Sequence, residues 1–165
     1  MRTLTVFVNN TPKAPQAPTA LWNAAGFLER SGDYQRAIDL NLQLQQDYPN
    51  DTNASEALFD AGLDAFRIDA SDTAIKAWRT LSDTYPLSDL HPAALLWQGK
   101  VAGDRALLSQ LATSSTYYGL RAQDILSDTN TPGTGALPGE PRRGRWSRNR
   151  SRAGPSASLA PSPRA

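Results

Sequence analysis

Between Thr19 and Asp128 the apolar positions fall into helical stripes, and the stripes come in pairs. Leu21, Ala24, Ala25 and Leu28 stand at i, i+3, i+4 and i+7, which predicts an amphipathic helix ending near Ser31-Gly32. Asp33 is placed to cap a second helix, with Ile38, Leu40, Leu42 and Leu44 on its apolar side. Tyr48-Pro49-Asn50-Asp51 stops that helix, because proline cannot continue the hydrogen-bond ladder. The course then repeats. Asn53 or Ser55 opens a helix through Leu58, Ala61, Gly62, Ala65 and Phe66, and Ser71 caps another that carries Ala74, Ile75, Trp78 and Leu81 up to Tyr85-Pro86. A third unit follows His91-Pro92, presents Leu95, Leu96 and Gly99, and breaks at Gly103-Asp104. Two shorter helices are expected near 104–112 and 115–127.

Superposing the first two pairs gives a period of 37 residues: Leu21, Ala24, Ala25, Leu28, Ala37, Leu44, Tyr48 and Pro49 return as Leu58, Ala61, Gly62, Ala65, Ala74, Leu81, Tyr85 and Pro86. A helix–turn–helix unit that stacks on its own copy predicts an all-α fold, a short solenoid of helix hairpins in a right-handed superhelix. The natural work of such a fold is holding or binding. The third copy is degenerate, as a terminal repeat often is.

Charge divides the chain further. Residues 20–128 carry 15 Asp and Glu against 8 Lys and Arg, whereas residues 129–165 carry 7 Arg against Glu140 alone. Residues 1–18, punctuated by Pro12, Pro15 and Pro18, read as an extended lead-in, and residues 19–128 as the repeat domain. Residues 129–165 mix Arg, Pro, Gly and Ser, with Leu137, Trp146 and Leu159 as their sizeable apolar groups, and are expected to be disordered. The absence of cysteine excludes disulfides and thiolate metal sites. No apolar run approaches the roughly 18 residues that span a membrane, and Met1–Val8 is too short for a signal-peptide core, so no export signal is expected.

The spacing resembles the tetratricopeptide repeat. A large apolar residue, a small residue four on, a second small residue twelve further and a closing proline are matched by Leu21, Ala25, Ala37 and Pro49, then by Leu58, Gly62, Ala74 and Pro86. The 37-residue period exceeds that family's roughly 34, and the aromatic residue of its first helix is not cleanly matched. The third unit is more specific. Trp97, Gly99 and Lys100, then Tyr117-Tyr118-Gly119-Leu120-Arg121-Ala122, resemble the helical region that precedes the enzyme domain in soluble lytic murein transglycosylases. The resemblance covers residues 20–127 and implies a superhelical, non-catalytic wall beside an enzyme that cleaves peptidoglycan glycan strands in the cell envelope or periplasm. That family's catalytic glutamate is followed by serine, whereas Glu29, Glu56 and Glu140 precede Arg30, Ala57 and Pro141. No catalytic residue therefore carries over, and no enzyme activity is expected of this chain.

Other chemistry is sparse. His91 reads as a surface residue ahead of Pro92, and a lone histidine without cysteine cannot build a usual zinc site. Asp60, Asp64 and Asp72 read as solvated helix faces and caps. Trp22, Trp78 and Trp97 read as core packing, with a carbohydrate platform as the other reading. The Arg142–Arg152 run with Trp146 is open to three readings: out-of-frame translation of a truncated gene, a solubilising tail, or a phosphate-binding tail for nucleic acid. No phosphate loop, dinucleotide fingerprint or nucleophile elbow is present, so neither cofactor nor metal is expected. The function expected is that of a transglycosylase-like scaffold whose partner is peptidoglycan. The alternative is a stand-alone repeat adaptor binding an envelope protein or peptide.

Overall fold

The computed structural model describes residues 15–128, and the tail with its Arg142–Arg152 run lies outside the described residues. Among the described residues seven helices follow one another: α1 (Ala17–Ser31), α2 (Tyr34–Asp47), α3 (Ala54–Arg67), α4 (Ser71–Thr84), α5 (His91–Ala102), α6 (Arg105–Leu111) and α7 (Tyr117–Ser127). Each packs against the next, and α7 also returns to α5. This is an all-α fold, a short helical solenoid, with no strand among the described residues.

The 37-residue period is written into the backbone as well as the core. In the first turn Asp33 N–H donates to the Leu28 carbonyl at 2.9 Å, and in the second Ala70 N–H donates to Ala65 at 2.9 Å. In the third, Asp104 N–H donates to Gly99 at 2.9 Å. Each is the long hydrogen bond of a Schellman stop, which needs a left-handed residue just before its donor. Gly32 at φ 83° and Gly103 at φ 67° supply it, while the second copy places Asp69 there at φ 62°. The Tyr-Pro ends repeat too. Tyr48 N–H donates to Leu44 and Asp51 N–H to Tyr48, as Tyr85 does to Leu81 and Ser88 to Tyr85. The Tyr85 hydroxyl donates to the Pro49 carbonyl at 2.7 Å, joining one copy's stop to the other's.

Three expected boundaries move. The first helix begins at Ala17, so Ala17 and Pro18, assigned by sequence to the extended lead-in, form its buried first turn. Pro18 is tolerated there because a first-turn N–H has no helical partner. Ser71 is the first residue of α4 and Ala70 holds the cap position. Asp33 does hold the cap position of α2, yet its carboxylate pairs with Arg36 at 3.2 Å instead of closing on the helix N–H groups. His91 starts α5 and is half-buried, its N–H donating to Ser88 at 2.9 Å, so it belongs to the helix start and not to a free loop.

The core runs along the helix pairs. Leu21, Leu28, Ala37 and Leu44 join Ala54 and Ala57 in one buried cluster that Tyr48 and Tyr85 flank. Leu58, Ala61, Ala65, Ala74 and Leu81 continue it. The small residues let backbones approach, and each buried leucine contributes about 1.5–3 kcal/mol of transfer free energy. α5 is apolar nearly all round because α4, α6 and α7 cover it, whereas α2 and α4 keep one polar face.

Candidate functional site

The eight repeat positions divide by role. Leu21, Ala25, Ala37, Leu58, Gly62 and Ala74 are buried, and Pro49 and Pro86 are exposed helix stops. The residues of the third unit are likewise mostly structural. Trp97 is buried, its ring 5.4 Å from Trp78 and 5.6 Å from Phe66, and the Lys100 ammonium lies 5.5 Å from its face. Gly99 gives Leu108 of α6 room to pack, since a Cβ there would meet the leucine Cγ at 2.9 Å. Gly119 does the same for the Ser114 backbone, with the Thr116 side chain capping its N–H at 3.3 Å. Tyr117 stacks edge-on with Tyr118 at 5.3 Å and stays exposed, and Arg121 pairs with Asp124 at 2.8 Å. Gly99 thus seats α6 on α5 and Gly119 seats α7 on the loop before it, whereas Trp97 packs onto α3 and α4.

A cavity does open where α1, α2 and α3 meet. Trp22, Asn23, Gly26, Glu29 and Arg30 from α1, Asn41 from α2 and Asp60 from α3 line a hollow of about 220 Å³. Helical spacing explains the first wall: Trp22, Gly26, Glu29 and Arg30 lie on neighbouring turns of one face. Gly26 keeps that wall low, and a Cβ there would meet only the mobile end of Arg30 at 3.3 Å.

Behind the hollow lies an ion cluster. Asp60, Asp64 and Arg67 recur at i, i+4 and i+7 along α3. Arg67 Nη1 donates to Asp64 Oδ1 and to Glu29 Oε1, at 2.5 Å each, so one guanidinium ties α3 to α1. The Asp64 side chain is fully buried, and its second oxygen has no protein partner. Burial pushes its carboxyl up to about 6, with Glu29 adding to the rise and Arg67 opposing it. Asp60 is raised to about 7, first by burial and then by Glu29, Glu56 and Asp64, with partial relief from Arg67. Burial works against the charge of Arg67, but the hydrogen bonds it donates to Glu29 and Asp64, with the charges of both carboxylates, hold its guanidinium above its ordinary range.

Asn41 is 3% exposed, and its side-chain carbonyl has no hydrogen-bond partner. A buried carbonyl without a partner costs about 1–3 kcal/mol. In the sequence the signal for this buried amide is its position, a polar residue between Ile38 and Leu44 on the apolar side of α2.

The tryptophans thus separate. Trp78 and Trp97 are core, and Trp22 is a partly buried wall of the hollow. Asp64 is not solvated surface, because α1 closes over it through Glu29 and Arg67; Asp60 is half-buried in the wall of the hollow, and Asp72 is exposed in the first turn of α4. A second, more open groove of about 460 Å³ follows the two Tyr-Pro loops and includes Pro49, Ser55, Tyr85 and Leu87. Among the described residues no group of three or more His, Asp or Glu has the arrangement of a metal site, and no helix is long and apolar enough to cross a membrane. No protein-family model matches the chain, and no curated protein matches it at a significant level.

Proposed function

We propose that this chain is a non-catalytic helical-repeat scaffold, and that the hollow between α1, α2 and α3 is where it holds a partner. The observation that carries this is the composition of that hollow. An indole wall, two amides, two carboxylates and a guanidinium give it both hydrogen-bonding signs beside an apolar surface. Recognition sites are built this way, with apolar walls for contact and a few polar groups for orientation.

The resemblance in Trp97-Gln98-Gly99-Lys100 and Tyr117-Tyr118-Gly119-Leu120-Arg121-Ala122 supports peptidoglycan as that partner and the cell envelope as its setting. On this reading the chain is a wall that positions the polymer for chemistry done by a transglycosylase-like domain. Co-sedimentation of the full chain with purified peptidoglycan sacculi tests it. The expected result is retention that survives moderate salt and falls in Trp22→Ala. Recovery of all the protein in the supernatant would overturn it.

One observation favours a protein-binding adaptor instead. Leu87 is 98% exposed beside the groove of the Tyr-Pro loops. An aliphatic side chain held out at the rim of a groove suits a peptide or protein surface. Retention that depends on Leu87 and not on Trp22 would select that reading.

A further inference from the structure

We infer that residues 4–8 fold back over the outer face of α1, pack on Phe27 and cap the first end of the repeat array. The inference is independent of what the hollow holds.

The first observation comes from the 37-residue offset. Asn23 of α1 corresponds to Asp60 of α3 and Trp97 of α5, and Phe27 corresponds to Asp64. In the later copies these positions meet the helix pair before them. Trp97 stacks on Phe66 of α3 and Trp78 of α4, 5.6 and 5.4 Å away, and is buried. Asp64 is fully buried and is tied to Glu29 of α1 through Arg67. This side of the first helix in each pair is therefore the side that stacks on its predecessor. In α1 the same side carries Phe27, which is 51% exposed, and no helix pair precedes it among the described residues.

The second observation is what lies within reach. Leu4-Thr5-Val6-Phe7-Val8 is the one run of large apolar residues ahead of α1, and it lies outside the described residues. In an extended segment Leu4, Val6 and Val8 share one side. Residues 9–16 link this run to α1 and extend to about 26–29 Å. Phe27 stands about 15 Å along the helix from Ala17, well inside that reach. The chain enters α1 through a turn at Pro15 and Gln16, so the residues ahead need not follow the helix axis.

The size of the patch selects a tethered occupant. Phe27 is the one large apolar side chain exposed on α1, and Asn23 and Arg30 beside it are polar and exposed. A phenylalanine buries about 150–250 Å², whereas a second copy of the chain needs about 800 Å² per partner. A segment of the same chain meets the ring at a roughly millimolar effective concentration and holds with far less contact. Arg30 on this face disfavours the Arg-rich residues 129–165 as the occupant.

The test is a nuclear Overhauser experiment on the ¹³C-labelled full chain, read from the Phe27 ring to the methyl groups of Leu4, Val6 and Val8. Contacts from the ring to these methyl groups are expected. A sample mixing labelled and unlabelled chain separates contacts within a chain from contacts between chains. Thermal melts read the same packing as stability. Val6→Asp and Phe27→Ser should each lower the midpoint by about 3–6 °C, and the double variant no further than either alone. An exposed phenylalanine with nothing packed on it would give a shift near zero. The proposal is overturned if the ring shows no contact with the segment, or if the contacts run between chains. It is equally overturned if the two variants act additively or leave the midpoint unchanged.

Discussion

Trp78 lies directly on Gly62: a Cβ built at position 62 would overlap the indole, approaching its Cδ1 to 2.7 Å. The indole N–H donates to the Phe59 carbonyl at 3.3 Å, so the ring is fixed to α3 at both ends of this contact. In the first copy the position equivalent to Gly62 is Ala25, and that equivalent to Trp78 is the short polar Asn41. The second copy therefore fills with tryptophan the space that the first leaves to an amide beside the hollow.

Gly62→Ala is expected to destabilise the fold by about 1–3 kcal/mol, the usual cost of overpacking a filled core. Gly26→Ala is the control. Its new methyl meets only the end of Arg30, and replacing a mid-helix glycine gains about 0.5–1 kcal/mol. Thermal denaturation should lower the midpoint of the first variant and hold or raise that of the second.

Asp69 occupies the left-handed position that Gly32 and Gly103 hold in the neighbouring turns. A side chain with a Cβ is strained there by about 1–2 kcal/mol, and glycine is not. Asp69→Gly should raise stability by roughly 0.5–1 kcal/mol once the greater freedom of glycine in the unfolded chain is subtracted. Chemical denaturation reads this as a shifted midpoint with unchanged slope.

Arg67 holds two carboxylates, one of them on a fully buried side chain. Arg67→Leu should cost about 3 kcal/mol, because it leaves Asp64 buried without its partner. Adding Asp64→Asn should recover part of the loss by removing the stranded charge. A double-mutant cycle in denaturant measures both steps.

Asp60 predicts a pH dependence. Its carboxyl is raised to about 7 in the folded protein and ionises near 4 (about 3.9) in an unfolded chain. Between those values the unfolded state has released a proton that the folded state retains, so this group's contribution to stability falls as pH rises and its penalty is complete above pH 7. Asp60→Asn should therefore stabilise the protein at pH 8 by on the order of 1–3 kcal/mol. The gain should shrink toward pH 4 and vanish below about pH 3, where aspartate is neutral in both states. Thermal melts of the two proteins across that range provide the check.

The solenoid was legible because its determinants are local and repeat. Leu21 and Leu58, Ala37 and Ala74, and Tyr48-Pro49 and Tyr85-Pro86 all carry their roles in spacing and size. The hollow was not, because its meaning comes from packing between helices. Asp64 looks like any aspartate on a helix until α1 closes over it through Glu29, and Asn41 looks like a polar break in a stripe until α2 turns it inward. Of the segments that carry the family resemblance, Trp97 and Gly119 serve close packing in the fold, while Tyr117 stays exposed.

The central claim is that a partner enters between α1, α2 and α3. The direct measurement is an amide correlation NMR spectrum of the ¹⁵N-labelled full chain during titration with soluble peptidoglycan fragments. Saturable shifts centred on Asn23, Gly26, Asn41 and Asp60 are expected. A spectrum that does not change, or shifts confined to residues away from that hollow, would contradict it.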